Sequence, residues 1–99
     1  MAIVSMLMFE IAQEDVEEAL QQIAGAKEMV MSMGANDLRV GQVQTGQYTG
    51  NWLVTSWFDN MEAFGKMNDA MTASPEYQAM LANAKGTLVS RTIIRTVDI

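Results

Sequence analysis

The ten residues from Gly50 to Asp59 constrain the fold of this chain more than any other segment. They read Gly-Asn-Trp-Leu-Val-Thr-Ser-Trp-Phe-Asp, a run of β-branched and aromatic residues between two turn signals, which predicts a strand. Alternate residues of a strand point to opposite faces. One face therefore carries Trp52, Val54, Ser56 and Phe58, and the other carries Leu53, Thr55 and Trp57. Both faces are apolar, so both need cover, and we predict a central strand.

Three further strands follow from the pattern. Ala2–Phe9 is apolar on both faces and predicts a second central strand. Asn36–Thr45 is more polar, which is typical of an edge strand. The segment Thr45–Gly50 contains two glycines and predicts a hairpin connection to the Trp-rich strand. Thr87–Val97 predicts the last strand.

Two helical regions separate these strands. The segment Gln13–Asp15 has two acidic residues, Glu14 and Asp15, which favour a helix start. Gly34 is suited to end that helix. A second helix begins after Asp59 or Asn60, either of which can cap it. The Ser74-Pro75 pair predicts a helix restart, since Ser is a good N-cap and Pro is favoured at the first helical position.

The element order β-α-β-β-α-β predicts an α+β fold: a ferredoxin-like antiparallel sheet with its helices on one face. We expect residues 1–99 to form a single domain. Helices on one face leave the other face of an apolar sheet uncovered. The economical cover is a second copy of the chain, so we predict a homodimer through the sheet face. Since Trp52 lies on one of the two apolar faces, we expect Trp52→Asp to disrupt this dimer.

Composition excludes several function classes. The net charge is −6, which argues against nucleic acid and against anionic membranes as partners. The segment Met1–Phe9 is short, lacks basic residues and does not resemble a signal peptide. No segment has the length needed to cross a bilayer. We therefore expect a cytoplasmic protein.

Methionine is unusually frequent, at 10 of 99 residues. Met fills irregular gaps in cores, and it also forms adaptable pockets and interfaces. The methionines that best fit a pocket or an interface are Met6, Met8, Met67 and Met71.

Two short segments carry a family resemblance. Residues 57–64 read Trp-Phe-Asp-Asn-Met-Glu-Ala-Phe, and residues 74–77 read Ser-Pro-Glu-Tyr. Together with the element order, they resemble the dimeric α/β-barrel superfamily, in which two ferredoxin-like chains pack sheet to sheet. That superfamily includes cofactor-independent monooxygenases of antibiotic-biosynthesis type, haem-degrading enzymes and stress-responsive proteins. Fold alone does not choose among these functions.

The resemblance implies a ligand site between the sheet and the helices. Trp57 matches the position of a tryptophan that lines this cavity in the superfamily. The cofactor-independent monooxygenases use Trp, Asn and Tyr side chains around a phenol, and this chain supplies those types in Asn51, Trp52, Trp57, Tyr48 and Tyr77. Ser5 or Met6 stands where that pattern has a first-strand asparagine. Trp57 also fits a core aromatic, and Asn51 also fits a turn.

Charged residues offer two further hypotheses. Arg91 and Arg95 share one face of the last strand, and an inward Arg can anchor a substrate carboxylate. The alternative for these residues, and for Arg39, is an edge charge or an ion pair. Glu10 and Asp59 are the acids beside apolar strands, so a general base would come from them.

We expect neither a metal nor a cofactor. The chain has no histidine and no cysteine, which removes the ordinary nitrogen and sulfur ligands of zinc and iron. The haem-degrading branch of the superfamily needs a histidine ligand, so that branch is excluded. The predicted ligand-binding residues are Trp57, Tyr77, Asn51, Arg91 and Met67.

Three interpretations of function remain open. The first is a homodimeric barrel that holds a small apolar or aromatic molecule, or none. The second is a cofactor-independent monooxygenase or isomerase acting on an aromatic or polyketide-like substrate. The third is a stress-related assembly module whose sheet face is its working surface. A cavity of a few hundred Å³ with convergent polar groups favours the second, and a filled core favours the first or the third.

Overall fold

The computed structural model describes residues 2–99, so Met1, the first residue of the predicted domain, lies outside the described residues. The strands are β1 (Ile3–Glu10), β2 (Asp37–Gln42), β3 (Trp52–Phe58) and β4 (Thr87–Arg95). The helices are α1 (Val16–Ser32), α2 (Met61–Ala73) and α3 (Pro75–Ala82). All four strands lie within the predicted segments or extend them by one residue.

The four strands form one antiparallel sheet in the order β2-β3-β1-β4. β1 and β3 are the two central strands, and β2 is an edge strand, as the sequence predicted. The predicted α+β class and ferredoxin-like fold are confirmed.

α1 begins and ends where the sequence signals indicated. A single 3-10 turn at Gln13–Asp15 leads into the helix. Gly34 has a φ of +121°, a conformation that glycine adopts readily and other residues rarely do. The Gly34 N–H donates to the Met31 carbonyl and the Ala35 N–H donates to the Val30 carbonyl, each at 3.2 Å. These two bonds form a Schellman motif, which satisfies the last carbonyls of the helix.

The second helical region consists of two helices, divided at the restart that Ser74-Pro75 predicted. α2 ends at Ala73, and α3 starts at Pro75. The Ser74 hydroxyl accepts a hydrogen bond from the Tyr77 N–H at 3.2 Å and caps α3. Proline at the first helical position has no N–H to donate, so α2 stops before it and a new helix starts at Pro75.

Asn60, and not Asp59, caps α2. The Asn60 side chain accepts a hydrogen bond from the Ala63 N–H at 2.9 Å. Asp59 lies one residue too early, and its carboxylate accepts a hydrogen bond from the Asn36 side chain at 2.8 Å. Asp59 therefore ties the end of β3 to the start of β2.

One face of the sheet packs against the helices. The core on this face joins the two central strands, through Ile3, Val54 and Phe58, to Phe64 and Met67 of α2. Phe58 is fully buried, and its ring meets that of Phe64 edge to face at 5.3 Å between centroids. The helix-facing residues of β3 are therefore the even-numbered ones, and Trp52 belongs to this side.

The other face, which we call the open face, carries the alternate residues of the same strands. Its members on the central strands are Val4, Met6, Met8, Leu53, Thr55 and Trp57. Val4 is 9% exposed although it lies outside the helix-facing core, because Trp57 and Ile94 flank it on the neighbouring strands. Trp52→Asp is thus not the variant that tests packing through the open face, which corrects that expectation.

β4 is exposed along its whole length. All nine of its residues, Thr87–Arg95, are exposed, including Leu88, Val89, Ile93 and Ile94. The helices therefore cover the β2 side of the sheet more closely than the β4 side, and a space remains between β4 and the helices.

Candidate functional site

A cavity of about 730 Å³ lies between the helix-facing side of the sheet and the three helices. Its floor is formed by β1 and β3, and its walls include side chains from α1, α2 and α3. Most of the lining is apolar. Representative residues are Leu7, Val54, Phe64, Met67, Met71 and Met80. The volume is in the range that holds a small organic molecule.

Two serines interrupt this apolar floor. Ser5 and Ser56 lie directly opposite each other on the central strands, and both line the cavity. They are 6% and 9% exposed. Within residues 2–99, neither hydroxyl has a hydrogen-bond partner in the protein, and both remain accessible to solvent. Two free hydroxyl groups therefore point into the cavity at the centre of the sheet.

Arg91 extends from β4 along the side of the cavity. Its register partner on β1 is Leu7, two residues from Ser5, so it shares the helix-facing side. The guanidinium carbon lies 5.6 Å from the centroid of the Phe64 ring, a cation–π arrangement. One guanidinium nitrogen donates to the Asn68 side-chain oxygen at 3.4 Å. These contacts orient a cation whose remaining donors are available.

The charged residues of the cavity all have one sign. Lys85 and Arg91 line it, whereas no Asp or Glu of the described chain does. The whole sequence has 12 acidic and 6 basic residues, so this distribution is opposite to that of the molecule. In addition, no carboxylate of residues 2–99 forms an ion pair with Arg91. The two charged residues that line this largely apolar cavity are therefore both basic, in an acidic protein.

Tyr77 supplies another polar group to the cavity wall. Burial raises the pKa of its hydroxyl above the ordinary value, and the nearby positive charge of Arg91 acts in the opposite direction with a smaller effect. The phenol therefore stays protonated at neutral pH. In that form it can donate a hydrogen bond, but it is a poor general base.

Three of the five predicted ligand-binding residues line this cavity. They are Tyr77, Arg91 and Met67. Asn51 does not line it. The Asn51 N–H donates to the Tyr48 carbonyl and its own carbonyl accepts from the Val43 N–H, at 3.0 and 2.8 Å, which makes Asn51 part of the β2–β3 turn.

Trp57 is on the other side of the sheet, so the expectation that it lines this cavity is wrong. Its register partner is Val4, and its neighbours Ser56 and Phe58 point to the helices. The Arg39 guanidinium carbon lies 5.9 Å from the Trp57 ring centroid. Trp57 thus belongs to the open face, together with Arg39.

The other basic and methionine candidates divide between the two faces. Arg39 pairs with Asp37 at 2.9 Å, as the ion-pair alternative stated. Arg95 pairs in register with Ile3 and does not line the cavity. Met67 and Met71 line the cavity, whereas Met6 and Met8 lie on the open face.

The two serines were not predicted as a pair from the sequence. Ser5 appeared only as one of two residues at the position of a first-strand asparagine in the resemblance, and Ser56 only as one member of a strand face. The signal that identifies them is a polar residue on the same face of each central strand, at positions that the antiparallel register brings together.

The described part of the chain has neither a cluster of potential metal ligands nor a helix suited to span a membrane. No group of three acidic, histidine or cysteine residues in positions 2–99 is arranged to hold a metal ion. Likewise, none of the helices in this range has both the length and the apolar character needed to span a bilayer.

Solved structures share this fold over nearly the whole chain. A variant of SnoaB, a cofactor-independent oxygenase from Streptomyces nogalater, matches with a TM-score of 0.73 at 10% identity, covering 99% of this chain and 95% of its own. A NIPSNAP family protein from Agrobacterium tumefaciens matches with a TM-score of 0.71 at 10% identity, covering 99% and 95%. A conserved protein from Methanosarcina mazei matches with a TM-score of 0.72 at 14% identity, covering 97% and 93%.

At these identities the likeness establishes the fold alone, which is the ferredoxin-like α+β fold described above. The resemblance read from residues 57–64 and 74–77 is confirmed at that level. The sequence profile of the DUF6854 domain of unknown function matches residues 6–96, and the chain belongs to this family. No curated protein matches the sequence.

Proposed function

We propose that this protein is a homodimeric α/β-barrel protein that binds a small apolar or aromatic molecule in the cavity between its sheet and its helices. The observation that carries the proposal is the cavity itself, about 730 Å³ of mostly apolar space with a few polar groups. A small domain has a limited hydrophobic core, and an unfilled cavity in it lowers stability, so a cavity of this size indicates a bound molecule. The proposal treats residues 1–99 as one ferredoxin-like domain.

The open face supports the homodimer. Its centre is apolar, with Met6, Met8, Leu53 and Trp57 on the two central strands. The charged pair Asp37 and Arg39 lies at the edge, on β2. An apolar centre with a polar edge is typical of protein interfaces, and a two-fold axis lets one such surface meet itself. A second copy of this chain is the occupant that we propose.

A cofactor-independent monooxygenase or isomerase is the second candidate. The fold likeness to SnoaB favours it, and so do the polar groups that converge in the cavity. Two observations count against it. Trp57 and Asn51, which the resemblance offered as catalytic types, are outside the cavity, and no carboxylate base lines it among residues 2–99. Ligand binding without catalysis is therefore the function that we favour.

An assembly module with no ligand site is the weakest of the three interpretations. It needs a filled core between sheet and helices, and the cavity is not filled. The sheet face remains important in our proposal, but as an interface that accompanies a ligand site.

Thermal unfolding and calorimetry with naphthalene-type compounds test the ligand part of this proposal. We expect binding to raise the unfolding temperature of the native protein. Ala26→Trp, which adds bulk to the α1 side of the cavity, should abolish binding. Ala24→Trp, an exposed position on the same helix, is the matched control and should bind normally. Equal binding by both variants would place the ligand elsewhere and contradict the proposal.

A further inference from the structure

We infer that the ligand of this cavity is an anion: an apolar or aromatic carboxylic acid, held by Arg91 at its carboxylate and by the Ser5–Ser56 pair at a second oxygen. This inference rests on the proposed function and specifies the chemical class of its ligand. Three observations carry it: the sign of the charges, the orientation of Arg91, and the unpartnered serine hydroxyls.

The sign of the charges selects anions. The charged residues that line the cavity within the described chain are Lys85 and Arg91 alone, in a protein of net charge −6. A cationic ligand would be repelled, and a neutral ligand would leave the guanidinium without an acceptor of opposite charge. A carboxylate can accept two parallel N–H bonds from a guanidinium, which is the strongest pairing available to this group.

Arg91 is already oriented for such a ligand. Contact with the Phe64 ring and the bond to Asn68 hold the guanidinium beside the apolar wall. Phe64, Asn68 and Arg91 all line the cavity. A side chain that is ordered before binding loses less conformational entropy when the ligand arrives.

The two serines define where the second oxygen of the ligand lies. Ser5 pairs with Ile93 on β4, and Arg91 lies two residues before Ile93 on that strand. Strand geometry therefore puts the α-carbons of Ser5 and Arg91 about 8 Å apart, diagonally across the floor. Leu7, which pairs with Arg91 and follows Ser5 on the same face of β1, adds an apolar side chain beside this diagonal. A hydroxyl or carbonyl at the far end of an aromatic acid can reach both serine hydroxyls.

The unpartnered hydroxyls make this second contact specific. Ser5 and Ser56 are more than nine-tenths buried and have no hydrogen-bond partner within residues 2–99. Both hydroxyls open onto the cavity, so a ligand oxygen that reaches them forms hydrogen bonds that an apolar group cannot form. A ligand with a hydrogen there instead of an oxygen forms neither of these hydrogen bonds.

Calorimetric titration with three naphthalene probes tests the inference. The probes are 6-hydroxy-2-naphthoic acid, its methyl ester and 2-naphthoic acid. We expect the hydroxy acid to bind at least about tenfold more tightly than the ester, because the ester has no charge for Arg91. We expect it to bind at least about fivefold more tightly than 2-naphthoic acid, which lacks the far hydroxyl.

Two sets of variants assign these differences to residues. Arg91→Met should weaken binding of the hydroxy acid and leave binding of the ester unchanged, so that the two compounds bind with equal affinity. Arg95→Met, on the same strand face but outside the cavity, should keep the preference for the acid. Ser5→Ala combined with Ser56→Ala should remove the preference for the far hydroxyl. The comparison of probes on the native protein does not depend on whether any variant folds.

The outcomes separate this inference from the proposed function. Equal binding of acid and ester to the native protein would overturn the inference and leave the proposed function standing. Equal affinity for 6-hydroxy-2-naphthoic acid and 2-naphthoic acid would contradict the inferred contact between the ligand and the Ser5–Ser56 pair. Failure of all three probes to bind at millimolar concentration would overturn the proposed function, and the inference with it.

Discussion

Trp57 and Val4 lie directly opposite each other on the two central strands, on the side of the sheet that faces away from the helices. Val4 is 9% exposed because Trp57 helps to cover it. The pair marks the middle of the open face. A charge placed there would lie at the centre of the proposed interface between two copies.

Trp57→Asp should convert the protein from dimer to monomer. A carboxylate at the centre of an apolar interface loses its hydration without gaining a partner, which is costly. Size-exclusion chromatography with light scattering over a concentration series measures the change. Met61→Asp introduces the same charge at an exposed apolar position on α2 and should remain dimeric. A Trp57→Asp variant that keeps the mass of the native dimer would contradict the proposed interface, and so would native protein that is monomeric throughout the series.

Two glycine substitutions should change stability in opposite directions. Gly25 lies inside α1, and a Cβ built there meets only the Met80 side chain, at an ordinary 4.0 Å. Gly25→Ala should therefore raise the free energy of unfolding by about 0.5–1 kcal/mol, because alanine is the better helix former.

At Gly86, the same substitution to alanine should destabilise the protein. It has a φ of +101°, and a Cβ there would lie 3.0 Å from an Ile11 side-chain atom and 3.1 Å from the Glu10 carbonyl oxygen. Gly86→Ala should lower the free energy of unfolding by about 1–3 kcal/mol through backbone strain and crowding. Urea denaturation followed by circular dichroism measures both changes. A stabilising Gly86→Ala would show that the turn before β4 differs from the one described.

Acid should weaken the contribution of Asp37 to stability. The pKa of its carboxyl is lowered mainly by the hydrogen bond from Arg39, and also by the bond from the Leu38 N–H. A lowered folded-state pKa stabilises the protein above the ordinary pKa of about 4, and this contribution is lost as the pH falls through the folded-state value.

Asp37→Asn should therefore be less stable than the native protein at pH 7, and the difference should shrink as the pH falls below about 4. Arg39→Gln should show the same dependence, since Arg39 is the main cause of the shift. Urea denaturation at a series of pH values provides the measurement. A difference that grows in acid would show that Asp37 is not held in its charged form by these contacts.

The sequence predicted the order and the centrality of the strands because those depend on local patterns. Two apolar faces on Ala2–Phe9 and Gly50–Asp59 correctly indicated central strands. The sequence pattern did not show which face of the sheet the helices cover. Each face of β3 carries a tryptophan and an aliphatic residue, so the periodicity is symmetric, and the packing of Phe58 against Phe64 decides the matter.

The misplacement of Trp57 follows from that symmetry. Once the even-numbered residues of β3 face the helices, Trp57 must face the other way, whatever position the resemblance assigned to it. The choice between Asp59 and Asn60 as cap has a similar origin, because both residue types cap helices and only the exact first turn of α2 selects Asn60.

The site was partly predictable. Arg91 was named from its strand face, Tyr77 from the family resemblance and Met67 from the high methionine content, and all three line the cavity. The cavity itself depends on how far the helices lie from β4, and no local pattern records that distance. The pairing of Ser5 with Ser56 depends on the register between two strands that are distant in the sequence.

Methionine methyl NMR tests the central claim most directly, because methionines lie on both sides of the sheet. Met67, Met71 and Met80 line the cavity, whereas Met6 and Met8 lie on the open face. When protein labelled with 13C at the methionine methyl groups is titrated with 6-hydroxy-2-naphthoic acid, ring currents should shift the resonances of the three cavity methionines. Those of Met6 and Met8 should stay in place. Shifts confined to Met6 and Met8, or no shift at any methionine at millimolar ligand, would contradict a ligand site between the sheet and the helices.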